Sequence, residues 1–277
     1  MTDLVSSVVD RGVALVTLNR PERLNAVDRE MGPQFDKVMA GLAVDPAVRV
    51  VVLTGAGQAF CAGADMERLR ELQADQGGSL HIPPPGEPNP QFDAIDAPPE
   101  LKGRYFLPMA LPQPVIAAVN GACAGAGFLL ACACDLRFAS QTAVFAAAFS
   151  RIGLTAEGGI AWRLPQLIGE GASADLLLSG RKVAAAEALS LGLVKAVAPP
   201  EALMGETMAY ARDLADKVSP RSLRVIKRQL RAARTQSPAE AFALSHREVV
   251  SSLASADFTE GLAAFLAHRS PHFPGGD

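Results

Sequence analysis

Residues 114–135 read PVIAAVNGACAGAGFLLACACD, an apolar strand-like run, a glycine loop and an apolar helix start, with no charge before Asp135. A strand without polar alternation must be covered on both faces. Such a stretch therefore demands a sheet with helices packed against it. Val13–Leu18 and Val48–Leu53 are β-branched runs that end in turn residues, and Asp135–Ala139 and Ala143–Ala147 read as two shorter strands. Asp28–Ala43 has helical spacing and stops at Asp45-Pro46. Strands alternating with helices predict an α/β fold.

The pattern changes after Pro200. Residues 201–217, 221–234, 238–253 and 257–268 read as helices with no strand between them, and Ser219-Pro220 and Ser237-Pro238 mark two of their starts. The expected organisation is a core over 1–200 and a helical C-terminal subdomain over 201–277. Residues 83–114 hold ten of the chain's 20 prolines. Proline removes backbone donors, so this segment is expected to be a long loop or ordered insertion and not a core element. It would serve as a lid, a surface excursion or a contact between subunits.

A length of 277 residues, 49% hydrophobic and 20% charged, suits a globular chain. A net charge of −3 and a pI near 5.9 call for no nucleic-acid or anionic-membrane partner. The N-terminus carries Asp3 and Asp10 and lacks the pattern of a signal peptide, and no run of about 18 apolar residues is free of charge. A soluble cytoplasmic protein is expected. Cys61, Cys123, Cys132 and Cys134 have no metal-binding spacing and no nearby histidine, and so read as free buried thiols.

The chemistry is carried by two glycine loops. Val48–Leu53 runs into TGAGQAFCAGAD, and Pro114–Val119 runs into NGACAGAG. A dinucleotide fingerprint fails in both, because Phe60 and Leu130 stand where its third glycine belongs. G-x-x-x-x-G-K-[ST] and G-x-S-x-G are absent, and the four histidines (His81, His246, His268, His272) lie in the proline-rich segment and the helical end. Two such loops can aim a pair of backbone N–H groups at one oxygen, an arrangement that contributes roughly 3–4 kcal/mol per donor to a transition state. Alternatively, the glycines only allow a helix to pack closely on a strand.

Several motifs occur together and in order. They are Asn19-Arg-Pro-Glu-Arg-Leu-Asn-Ala26, Phe60-Cys-Ala-Gly-Ala-Asp65, Pro114-Val-Ile-Ala-Ala-Val-Asn-Gly121 with Gly125-Ala-Gly127 and Cys134-Asp135, and Asp257-Phe-Thr-Glu-Gly-Leu-Ala-Ala-Phe265. Over nearly its whole length the chain resembles the crotonase, or enoyl-CoA hydratase/isomerase, family. The resemblance implies a spiral of repeated ββα units and a helical C-terminus that builds homotrimers or dimers of trimers. It implies an acyl-CoA thioester substrate and no metal or redox cofactor, coenzyme A being part of the substrate. The oxyanion donors would be the N–H groups of Ala64 and Ala126. Coenzyme A contacts would come from Arg23 and Leu24, from Ala62, Gly63, Asp65 and Met66, and from Gly125.

The chain departs from the family where hydration chemistry needs acids. Family hydratases carry one glutamate two residues after the glycine triplet and a second 20 residues later; here these positions are Leu129 and Phe149. A water between two apolar side chains has no base to activate it. Glu157, in the segment IGLTAEGGIAW from Ile152 to Trp162, resembles the acidic residue that works in other branches of the family. A lone base there would move a proton between two carbons of an enolate. The alternatives are a hydratase that uses Glu157 and water, an acyl-CoA binding protein with little catalysis, or a solvated glutamate at the start of a helix over Gly158–Leu167. Burial would raise its pKa and a helix start would lower it. Asp65 is expected to cap the helix that follows it, Asp135 to be structural, Trp162 to be core, and Lys227 and Arg228 to lie on a solvated face or to reach the nucleotide end of coenzyme A.

Overall fold

The structure, a computed structural model, describes residues 3–75 and 90–274. Strands β1 (Val5–Asp10) and β2 (Val13–Leu18) form an antiparallel hairpin, turned by Arg11 and Gly12 at positive φ. Helix α1 (Met31–Val44) follows. The next segments repeat one pattern: a strand for a first sheet, a tight turn, a short strand for a second sheet, then a helix. They are β3 (Val50–Gly55), β4 (Ala59–Cys61) and α2 (Met66–Ala74); then, after the short α3 (Leu107–Ala110), β5 (Val115–Val119), β6 (Ala122–Ala124) and α4 (Ala126–Ala133); then β7 (Leu136–Ser140) and β8 (Val144–Ala146). Helices α5 (Ile160–Arg163), α6 (Pro165–Ile168) and α7 (Glu170–Ser179), strand β9 (Lys182–Ala184), α8 (Ala185–Ser190) and β10 (Ala196–Ala198) complete the two sheets. The six-stranded sheet has the order β1-β2-β3-β5-β7-β10 and the four-stranded sheet β4-β6-β8-β9. The mixed α/β class and the spiral of ββα units are as expected.

The apolar runs are continuous because the larger sheet is buried on both faces. Val51, Leu53, Val115, Ala117 and Val119 face the main core, with α1 and α4. Val50, Val52, Ile116 and Ala118 face the other way, onto Leu203, Ala211 and Ala215 of α9 (Leu203–Lys217). α9 thus packs on the sheet, while α10 (Pro220–Ala232), α11 (Pro238–Leu253) and α12 (Ala256–Leu266) extend beyond it. Ser219 and Ser237 cap α10 and α11, each followed by proline in the first turn, and Ser237 and Glu240 form a capping box. No single described helix is long and apolar enough to cross a membrane; α11 and α12 reach that composition only as a pair bent by 70°.

Two expectations are corrected. Residues 83–89 of the proline-rich segment, and His81, lie outside the described residues, but 90–112 sends side chains into the core. Phe92, Ile95, Leu101, Phe106, Leu107, Met109 and Leu111 are all buried. Pro90 and Pro99 start single turns, Pro90–Phe92 and Pro99–Leu101, each of which turns its last residue inward. The helix expected over Gly158–Leu167 is two short pieces, α5 and α6, because Pro165 starts a new one.

Candidate active site

The loop after β4 is stitched to the segment 20–27. Val27 donates its N–H to the Gly63 carbonyl (2.8 Å), and Asp65 donates to the Val27 carbonyl (3.0 Å). This is a parallel bridge between Val27 and Ala64, in which the N–H of the central residue points to the other side. Ala62 N–H donates to the Leu24 carbonyl at 3.0 Å. The buried Asn25 side chain accepts from Arg20 N–H (2.8 Å) and donates to the carbonyls of Ala56 (2.9 Å) and Ala59 (2.8 Å). The motif NRPERLNA is therefore a strap that fixes the loop's height over the sheet, and Arg20 and Asn25 are functional supports that the sequence reading did not single out.

The second loop ends at Gly125, with φ 47° and ψ −118°, a conformation closed to residues with side chains. Helix α4 starts at Ala126, whose N–H has no acceptor within its own helix. A side-chain carbon on Gly125 would lie 3.6 Å from Gly63 Cα, and one on Gly63 would lie 3.8 Å from Ala126 N. The two backbones thus approach at Gly63 and Gly125. Neither Ala64 N–H nor Ala126 N–H meets a protein acceptor among the described residues. Gly121 and Gly127 do the other job: a side chain there would run into the carbonyls of Gln58 and Cys61.

Leu129 and Phe149 are both buried in the main core, as apolar residues should be. The loop that carries Glu157 comes to the first of them. Its neighbour Gly158 leaves room for Leu129, whose Cδ1 lies 2.9 Å from where a Gly158 side chain would begin, and Gly159 is 3.7 Å by the same measure from the Phe106 ring. Glu157 is open to solvent, and the two glycines that follow it lie against the apolar Leu129 and Phe106. Burial raises its pKa above the ordinary glutamate value, and no charged neighbour among the described residues offsets it. Of the two opposing effects, burial wins.

Arg23, Leu24, Ala62 and Met66 come together at the rim. Leu24 and Met66 are 47% and 60% exposed, and Arg23 makes a loose contact of 3.4 Å with Glu67. The Asp65 carboxylate is engaged internally. It caps α2 by accepting from Glu67 N–H (2.8 Å) and pairs with Arg20 (2.6 Å), contacts that together hold it below the usual carboxylate range. Its side chain therefore follows the capping expectation.

Lys227 belongs to neither place expected for it. It is buried, and its ammonium donates to the carbonyls of Pro108 and Gln113 (both 2.8 Å) and pairs with Asp135 (2.7 Å). Pro108 and Gln113 precede β5 and Asp135 precedes β7, at the ends where these parallel strands begin, whereas the glycine loop follows β5. Arg228 pairs with Glu248 at 2.6 Å in a basic cleft of about 740 Å³ on that far side, lined also by Arg221, Arg231 and Arg247. Trp162 is 42% exposed, not core, and carries the Arg234 guanidinium 5.8 Å above its ring. The four cysteines are free and buried; burial pushes Cys61, Cys132 and Cys134 up to about 12.

The sequence matches the enoyl-CoA hydratase/isomerase family over residues 9–81 and 96–276, most of its length. The chain belongs to this family. It is 35% identical to the 1,2-epoxyphenylacetyl-CoA isomerase of Escherichia coli, over 99% of this chain and 100% of that one. It is similar in structure to an enoyl-CoA hydratase from Polaromonas, with a TM-score of 0.83 and 32% identity over 97% and 99% of the two chains. It is also similar to the enoyl-CoA hydratase of Bacillus anthracis, with a TM-score of 0.85 and 27% identity over 99% and 100%. The fold and the motif order thus describe an enzyme of the enoyl-CoA hydratase/isomerase family.

Proposed function

We propose that this family member isomerises an acyl-CoA thioester through an enolate, with Glu157 as its only proton carrier. The observation that carries the reading is that Glu157, without a hydrogen-bond or ion-pair partner among the described residues, precedes a glycine packed against the apolar Leu129. The N–H groups of Ala64 and Ala126 receive the thioester oxygen. Glu157 removes a proton from the α or γ carbon, the negative charge moves onto that oxygen, and Glu157 returns the proton at another carbon, so the double bond shifts. Without a carboxylate at 129 or 149 there is no second group to hold and activate a water, which disfavours hydration. The similarity to a relative named as an acyl-CoA isomerase supports the same direction.

The exposed Arg23, Leu24 and Met66 at the rim suit the coenzyme A portion of the substrate. The C-terminal helices suit assembly into a homotrimer or a dimer of trimers: Phe242 and Phe265 are each 78% exposed, more apolar surface than a solvated helix explains. Light scattering measures that mass directly.

The deciding experiment offers the enzyme a 3-enoyl-CoA and, separately, a trans-2-enoyl-CoA. The expected result is gain of conjugated absorbance from the first and no hydrated product mass from the second. Hydration at an ordinary enzymatic rate would overturn the reading.

A further inference from the structure

The surroundings of Leu129 and Glu157 include a second polar head. Tyr105 precedes Phe106, whose ring lies against Gly159. On its other side, Arg104 is fastened to Asp36 of α1 by three hydrogen bonds of 2.6–3.1 Å. The backbone at 105 is thus held between two anchors. The Tyr105 side chain is half-buried and packs on the main core. Its hydroxyl has no hydrogen-bond partner among the described residues, and Glu157 and Cys61 are within electrostatic range of it. Burial keeps the phenol protonated, so it is a donor without an acceptor. A hydroxyl held on this partly apolar wall offers a donor to a ligand acceptor that enters, and a plain alkyl chain has no acceptor to meet it.

We infer that Tyr105 donates a hydrogen bond to an oxygen on the acyl chain, so that the site prefers thioesters bearing an oxygen substituent over plain alkyl ones. The inference rests on the acyl-CoA reading above but needs no proton transfer by Glu157. Sites built to hydrogen-bond a substrate oxygen discriminate against analogues that lack it.

Calorimetric binding of two isosteric pairs tests it: 3-oxobutanoyl-CoA against 3-methylbutanoyl-CoA, and 4-oxopentanoyl-CoA against 4-methylpentanoyl-CoA. The wild-type enzyme is expected to bind the oxo member of at least one pair about tenfold more tightly, and Tyr105→Phe to bring that ratio close to one. Ratios that agree within about twofold between wild type and Tyr105→Phe for both pairs would overturn the inference. So would a wild-type preference for the methyl member of both pairs, a result that requires no variant to fold. Absence of binding by all four thioesters would overturn it together with the acyl-CoA reading. The two failures are separable: an unchanged ratio counts against Tyr105 alone, and unaltered turnover in Glu157→Gln counts against the proton-transfer reading alone.

Discussion

Gly158 lies directly against Leu129, with Cδ1 of the leucine 2.9 Å from the site of a first side-chain carbon. The leucine thus packs against the loop at 158, one residue after Glu157. A packing contact stands at 129, and in the proposed mechanism the base sits on the adjoining loop at Glu157.

Glu157→Gln is expected to lower kcat/KM for isomerisation by about 10²–10⁴-fold while retaining thioester binding. Because burial raises the Glu157 pKa, wild-type activity should fall on the acid side at a higher pH than a solvated glutamate would give. The stability sign is the reverse of the activity sign. A carboxyl whose folded pKa is raised stabilises the fold below its unfolded pKa and loses that contribution as pH rises through the folded value. At neutral pH the glutamine variant should therefore melt at or above the wild-type temperature, with the difference closing in acid. A pH–rate profile and melting curves at two pH values check both.

Gly125→Ala places a side chain on a backbone with φ 47° and ψ −118° and opposite Gly63 Cα at 3.6 Å. The strain should cost about 1–3 kcal/mol of stability. Turnover should fall further than stability explains, because relief of the strain moves Ala126 N–H away from Ala64. Denaturant unfolding and kcat on one preparation separate the two losses.

Asp65→Ala removes the cap of α2 and the Arg20 partner, and should destabilise by about 1–2 kcal/mol. The Asp65 pKa is depressed, so its contribution is present above its unfolded pKa and lost as pH falls through the folded value. The gap between wild type and variant should therefore narrow below about pH 4. Equal gaps at pH 7 and pH 3 would rule out a charged cap.

The α/β class and both loops were legible because long apolar strands and glycine clusters leave a period and a composition in the sequence. Strands β4, β6, β9 and β10, three residues each, are too short to carry a period and arise only by pairing with distant segments. Lys227 was misplaced because its helix is so basic that its one inward lysine looks like its solvated neighbours. The core side chains of 92–111 were hidden by its prolines, and Tyr105 with them: a single hydroxyl carries no spacing signal, and only the tertiary fold brings its neighbour Phe106 against Gly159.

Lys227 and Asp135 make the sharpest stability test. The lysine ammonium uses its three donors on Pro108, Gln113 and Asp135, and the Asp135 carboxylate also accepts Val115 N–H at 2.7 Å. Burial lowers the lysine pKa, and Asp135 pulls it back up. Asp135→Asn leaves a buried ammonium without its counter-charge and should cost about 3–5 kcal/mol. Lys227→Met removes the charge instead. It orphans two carbonyls, but the Asp135 side chain is 31% exposed and can be hydrated, so the loss should be nearer 1–3 kcal/mol. The order of the two losses in denaturant unfolding tests the buried-charge argument. Acyl-CoA affinity in Lys227→Met tests the placement: it should match wild type, and a marked loss would mean that the lysine reaches the coenzyme A after all.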